Sequence, residues 1–128
     1  MLKAPRLIEF NSNIEPRGNL SFTEGIKEVP FEIKRVYWLY DVPEYQHRGG
    51  HAHRTSEQVI ICTKGLIEVH LESQEGEQLT FKLDAPKFGL YIPPYWWGTM
   101  LFVENAIMIG LASDNFSEDD YIRNKSDF

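Results

Sequence analysis

Short apolar stretches recur along this chain, separated by turns rich in Gly, Pro and Asn, and almost none carries the 3.6-residue period of a helix. The clearest is Leu66–Glu72. There Ile67, Val69 and Leu71 fall on one face and Glu68, His70 and Glu72 on the other, as in a strand with one buried side. Strand-like segments are Leu7–Phe10, Asn19–Thr23, Ile33–Tyr40, Gln58–Thr63, Leu66–Glu72, Gln78–Leu83, Gly89–Ile92, Trp96–Phe102 and Ala106–Ala112. The turn Gln74-Glu75-Gly76-Glu77 predicts a hairpin between two of them. Many short strands at regular spacing predict an all-β sandwich or barrel. One departure is expected near the end. Ser117, with Asp120 three residues on, reads as a capping box and predicts one short C-terminal helix, followed by a polar tail, 124–128, that frays. No repeat, linker or low-complexity segment divides the 128 residues, so a single domain over 1–128 is expected.

The charge balance is acidic, with 13 basic and 19 acidic residues and a net charge of -6. That argues against general nucleic-acid binding, which needs a basic footprint. A small anionic ligand needs only a few local guanidinium groups, and Arg17, Arg35, Arg48 and Arg54 are the candidates. The one cysteine, Cys62, lies in an apolar strand and reads as buried filler, which fits a reducing compartment. The N-terminal residues show no apolar signal region, and no apolar run is long enough to span a bilayer, so a cytoplasmic, soluble protein is expected.

Chemistry concentrates in Arg48-Gly49-Gly50-His51-Ala52-His53. On a strand, alternate side chains share a face, so His51 and His53 project into one space. Two buried imidazoles in an otherwise apolar interior would each need hydrogen-bond partners. A site lined by solvent or ligand accounts for the pair better, leaving metal binding and proton transfer as alternatives. His70, on the outer face of its strand, and His47, in a loop, carry less.

His51, His53 and Glu57 form H-x-H-x-x-x-E, which resembles the first motif of the cupin superfamily, a double-stranded β-helix or jelly roll. In metal-binding cupins these are ligands, and a further histidine follows a proline turn. The matching turn here is Tyr91-Ile92-Pro93-Pro94-Tyr95-Trp96-Trp97-Gly98, with Gly98 where that histidine is expected. Glycine has no side-chain ligand, which disfavours a metal without removing it, since two histidines and a carboxylate can hold a catalytic metal with open positions; the expectation is no metal and no cofactor.

A narrower resemblance covers nearly the whole chain. Arg35–Asp41, Arg48–His53, Glu57–Cys62, Gly89–Pro94, Leu111–Asp114 and Glu118–Arg123 together resemble the dTDP-sugar 3,4-ketoisomerases. The resemblance implies a metal-free cupin that moves the ketone of dTDP-4-keto-6-deoxy-D-glucose from C4 to C3. It implies a homodimer with an exchanged N-terminal strand, in the biosynthesis of nucleotide sugars and surface polysaccharides. By similarity, His51 is the base, His53 polarises or protonates sugar oxygens, and Tyr37 donates to developing oxyanion charge. Arg48 holds the diphosphate or the enediolate, Arg17 contacts the sugar from the opposite rim, and Trp96 and Trp97 are candidates for stacking. Gly98 departs from the family, which usually has histidine or arginine after the tryptophan. With Arg17 it is expected to govern the face of C4 that receives a proton, with a galacto product.

Three alternatives stay open on sequence alone. A cupin-type sugar-nucleotide epimerase would use the same histidine and leave the ketone at C4. A non-catalytic sugar-binding cupin would bind without turnover. A metal-dependent oxygenase is disfavoured by Gly98.

Overall fold

The computed structural model describes residues 3–128. Its strands are β1 (Arg6–Glu9), β2 (Asn11–Glu15), β3 (Gly18–Phe22), β4 (Arg35–Leu39), β5 (Gln46–His53), β6 (Gln58–Ser73), β7 (Gln78–Leu83), β8 (Phe88–Ile92), β9 (Trp96–Ala112) and β10 (Tyr121–Ile122). All named strand pairs are antiparallel, and the fold is the all-β jelly roll expected of a cupin.

β6 and β9 form the spine. They pair from Gln58 opposite Ala112 to Ser73 opposite Trp96. The sequence reading divides each of them into two strands. In the structure each is continuous and bends at a bulge, with register shifts between Cys62 and Leu66. Gly65 sits in the bend at φ 80°, and a Cβ there would lie 2.7 Å from the Ala106 Cα, so only glycine fits. Glu104 and Asn105, across the ladder, also have positive φ. The apparent turn residues are therefore bend residues within one ladder.

On one side of the bend the spine is flanked by β8, then β1, and by β4; on the other by β7 and by β5, then β10. The principal core draws on both halves, with Ile60, Cys62 and Met108 from one and Val69, Leu71 and Phe102 from the other. The predicted alternation holds: Ile67, Val69 and Leu71 are buried. The β6–β7 hairpin closes as read, with Gly76 N–H donating to the Ser73 carbonyl at 3.1 Å. A second apolar cluster covers the outer face of the β8–β6–β9 half, with Phe10, Val29 and Phe31 over Val59, Tyr91 and Leu111.

Two local expectations change. Glu118–Asp120 is a three-residue 3-10 turn, not a helix, and Ser117 makes no side-chain cap. Tertiary bonds take the groups a helix would use. Arg54 N–H donates to the Asp120 carbonyl at 2.8 Å, and Tyr121–Ile122 pair with β5. The tail is held too: Phe128 packs on Trp97 at 5.8 Å between ring centroids, and Gln74 donates to its carbonyl.

β2 and β3, of which only β3 is read from the sequence, pair with each other in a separate two-stranded sheet that exposes Ile14, Leu20 and Phe22. Among the described residues no helix is long and apolar enough to cross a membrane.

Candidate active site

Between the two halves of the roll lies a cavity of about 280 Å³. Its apolar wall includes Leu39, Ile60, Val69, Leu71, Met100 and Met108, and its polar residues are Arg35, Tyr37, Arg48, His51, His53, Gln58, Tyr121 and Arg123. Polar groups converging in an apolar cleft form the usual arrangement of a small-molecule site.

β5 delivers the two histidines. The register shifts between Gly49 and His51, with both Gly49 and Gly50 at positive φ, and His51 then pairs with Gly98 on β9. Beyond the bulge the alternation puts both imidazoles in the cavity, 5.2 Å apart between ring centroids and edge to face. Tyr121 from β10 closes against both, at 5.1 Å from His51 and 4.5 Å from His53. The Arg123 guanidinium lies 4.2 Å over the Tyr121 ring.

Burial, then the neighbouring His53 and Arg123, lowers the His51 pKa to about 4, so this imidazole is neutral at pH 7 and able to accept a proton. Burial also lowers His53, against the opposing pull of Asp120. Both His53 nitrogens have protein partners: Asp120 Oδ2 is 2.8 Å from Nδ1, and Gln58 Nε2 is 2.9 Å from Nε2. In this arrangement His53 has no nitrogen free for a sugar oxygen, unlike the role the resemblance implies.

Tyr37 comes from β4 and lines the cavity. Its ring lies across Gly110, where a Cβ would sit 2.1 Å from the ring, so this close approach requires glycine. Its hydroxyl donates to Gln58 Oε1, and burial pushes its pKa upward. Arg35 lies over the Tyr37 and Phe116 rings, each at 5.6 Å, and its buried Nε has no hydrogen-bond partner among the described residues.

Two residues expected at the site lie elsewhere. Alternation along β9 turns Trp96, Gly98 and Met100 to the cavity and Trp97 outward, where Lys125 sits 5.4 Å over its ring. Of the tryptophan pair, Trp96 lines the cavity. Arg17 sits at the tip of the β2–β3 hairpin, 87% exposed and 3.1 Å from Glu15, and does not line its own chain's cavity. Gly98 does line it, opposite His51, with Leu71 Cδ2 3.1 Å from where a Cβ would stand.

Glu57, third in the cupin pattern, is engaged by Lys3 at 2.9 Å and by the Tyr91 hydroxyl, and does not line the cavity. Among the described residues no three His, Cys, Asp or Glu side chains cluster as metal ligands. Arg54 donates to the carbonyls of Asp119 and Tyr121 at 2.8 and 2.7 Å, so it secures the C-terminal segment instead of facing a ligand. Cys62 is buried, its thiol raised to about 11 by that burial. His70 is bonded to Glu68 and Thr80 on the outer surface.

Nothing in the sequence pattern singles out Asp120, Gln58, Tyr121 or Arg123 as site residues. The capping-box pattern places Asp120 in a helix cap. Its carboxylate instead accepts from Thr55 N–H at 2.7 Å and Thr55 Oγ1 at 2.9 Å. These bonds and that of His53 outweigh the effect of burial, which would raise the carboxyl, and hold it below its ordinary range.

The FdtA family model, described as WxcM-like, C-terminal, matches residues 3–128. Over 124 residues the chain is 40% identical to a TDP-4-oxo-6-deoxy-alpha-D-glucose-3,4-oxoisomerase of Aneurinibacillus thermoaerophilus, which covers 96% of this chain and 88% of that protein. A mutant of the 3,4-ketoisomerase QdtA of Thermoanaerobacterium thermosaccharolyticum, solved in complex with TDP-4-keto-6-deoxyglucose, superposes with a TM-score of 0.92 at 36% identity. That match covers 98% of this chain and 91% of the other. The WlaRB TDP-quinovose 3,4-ketoisomerase of Campylobacter jejuni gives 0.91 at 36% identity, over 98% of this chain and 97% of its own.

Proposed function

This chain belongs to the FdtA family of TDP-sugar 3,4-ketoisomerases and is an isomerase, and on that premise we propose that it converts dTDP-4-keto-6-deoxy-D-glucose into a dTDP-3-keto-6-deoxyhexose of galacto configuration. The observation that carries this reading is the neutral His51 facing the cavity opposite Gly98.

The C4 ketone acidifies the C3 proton. His51 takes that proton, the electron pair of the C3–H bond forms the C3–C4 double bond, and the carbonyl pair moves onto O4. The O3 proton passes to O4, C4 takes a proton and C3 becomes the ketone. An imidazole that is neutral at working pH suits the first step. Arg35, Arg48 and Arg123 line the cavity and supply guanidinium forks suited to the diphosphate. Gly98 leaves room on one side of the sugar, which supports a product set by which face of C4 is open.

A homodimer with exchanged N-terminal segments fits the exposed Ile14, Leu20 and Phe22 of the hairpin, the exposed Val36 and Trp38 on the outer face of β4, and the exposed Tyr40 just beyond it. Such an exchange would carry Arg17 towards the partner's cavity. Light scattering of the purified protein at twice the 14.9 kDa chain mass is the expected result. The lone buried thiol fits the cytoplasm.

The test is incubation with dTDP-4-keto-6-deoxyglucose in deuterated water, followed by NMR. A carbonyl at C3, with deuterium at C4 of the product and at C3 of recovered substrate, is expected; in a parallel incubation in ordinary water the product should show the small H4–H5 coupling of the galacto configuration. A carbonyl retained at C4 with inverted neighbours would indicate an epimerase. Binding without exchange would indicate a non-catalytic cupin.

A further inference from the structure

Asp120, His53, Gln58 and Tyr37 form a continuous line of hydrogen bonds ending at the cavity wall, and chemistry fixes the direction of each bond. The ionised Asp120 carboxylate can only accept, so His53 Nδ1 carries the proton. Burial, aided by the nearby Arg35 and Arg123 cations, favours the neutral form of His53, which stands beside His51, against the opposing pull of Asp120. Its Nε2 therefore offers a lone pair, which takes an N–H of Gln58. That turns Gln58 Oε1 towards Tyr37, whose hydroxyl must donate its only proton to it. Gln58 and His53 are 6% and 8% exposed, so water does not readily substitute for either partner.

We propose that Gln58 is a positioning residue that fixes Tyr37 as a hydrogen-bond acceptor towards the cavity, so that Tyr37 selects a sugar hydroxyl and not a carbonyl or an oxyanion. The inference rests on the ketoisomerase reading and deepens it. In the substrate O3 is a hydroxyl and O4 a carbonyl oxygen, so only O3–H can donate to Tyr37. Seating O3 there fixes the C3 carbon relative to His51 on the facing strand. This reverses the donor role that the family resemblance implies for Tyr37.

The experiment compares binding of dTDP-4-keto-6-deoxyglucose with that of its 3-deoxy analogue, in a His51→Asn background where turnover is blocked. A preference of about tenfold for the 3-hydroxy sugar is expected, the scale of one buried hydrogen bond. Adding Tyr37→Phe should abolish the preference, and adding Gln58→Leu should reduce it to about twofold or less, since Tyr37 is then free to donate. Gln58→Glu retains an acceptor for Tyr37 and should retain the preference, while 15N NMR shows His53 gaining a second N–H. That variant keeps the test decisive if Gln58→Leu does not fold. A preference that survives Tyr37→Phe, or is lost in Gln58→Glu with the fold intact, would overturn the proposal. So would a His53 protonated on Nε2 in the parent protein at pH 7. Failure of the unsubstituted protein to move the carbonyl would overturn the function, while these binding ratios would still decide the role of Gln58.

Discussion

Acidification tests the His51 assignment most directly. A base must be unprotonated to act, and the His51 pKa is lowered to about 4 by burial, His53 and Arg123. Between pH 7 and 5 such a group loses only about a tenth of its base form, whereas an ordinary histidine near 6.5 loses about 25-fold. The acid limb of kcat/KM, which reports the free enzyme, should therefore lie well below 6.5. The assay is initial-rate NMR of carbonyl migration at fixed low substrate concentration, alongside a titration of the imidazole Hε1 resonances. His51→Asn identifies the His51 resonance by its loss. It should also lower turnover at least about a hundredfold, the lower end for removal of a general base and about 2.7 kcal/mol of barrier.

Two further readouts follow from the causes of the shift. Arg123→Met removes one of the positive charges acting on His51, so the acid limb should move upward while burial keeps it below 6.5. Stability should respond with a definite sign. The folded-state pKa lies below the unfolded one, so between about 6.5 and 4 the unfolded chain binds more protons. Stability from this group is present above that window and lost as pH falls through it. A kcat/KM profile falling about 25-fold from pH 7 to 5, or near-normal turnover of His51→Asn, would refute the reasoning.

Arg17→Tyr and Gly98→Arg should each change the ratio of C4 epimers, read from the H4–H5 coupling, more than they change nucleotide affinity by calorimetry. Weaker binding at an unchanged ratio would confine both positions to binding. Activity should survive exhaustive chelation, because Glu57 is held by Lys3 and Tyr91 and position 98 offers no ligand; loss with EDTA that one divalent ion restores would reverse this. Gly110→Ala drives a methyl to 2.1 Å from the Tyr37 ring, so urea denaturation should show a loss of about 1–3 kcal/mol, with turnover falling alongside.

The fold was legible where one period governed a segment. Leu66–Glu72 alternates without interruption, and its three apolar residues are all buried. Legibility failed where residues of turn chemistry occur inside a ladder. Gly65 and the Glu104–Asn105 pair read as breaks between strands, yet a bulge needs the same positive φ as a turn, and only the pairing partner distinguishes them. Ser117–Asp120 failed for a related reason. A capping box is a local preference, and Thr55 with His53 offered the Asp120 carboxylate better partners more than 60 residues away. The site divides along the same line. His51 and His53 announce themselves by spacing, because a two-residue period fixes a shared face. The same rule, applied from the right origin on β9, separates Trp96 from Trp97, but the origin is set by pairing of His51 with Gly98 and is not written in either strand alone. Gln58 and Asp120 are invisible for a further reason. Their contribution lies in the direction of hydrogen bonds among four elements, β4, β5, β6 and the 3-10 turn, and direction follows only once an acceptor-only carboxylate is placed at one end.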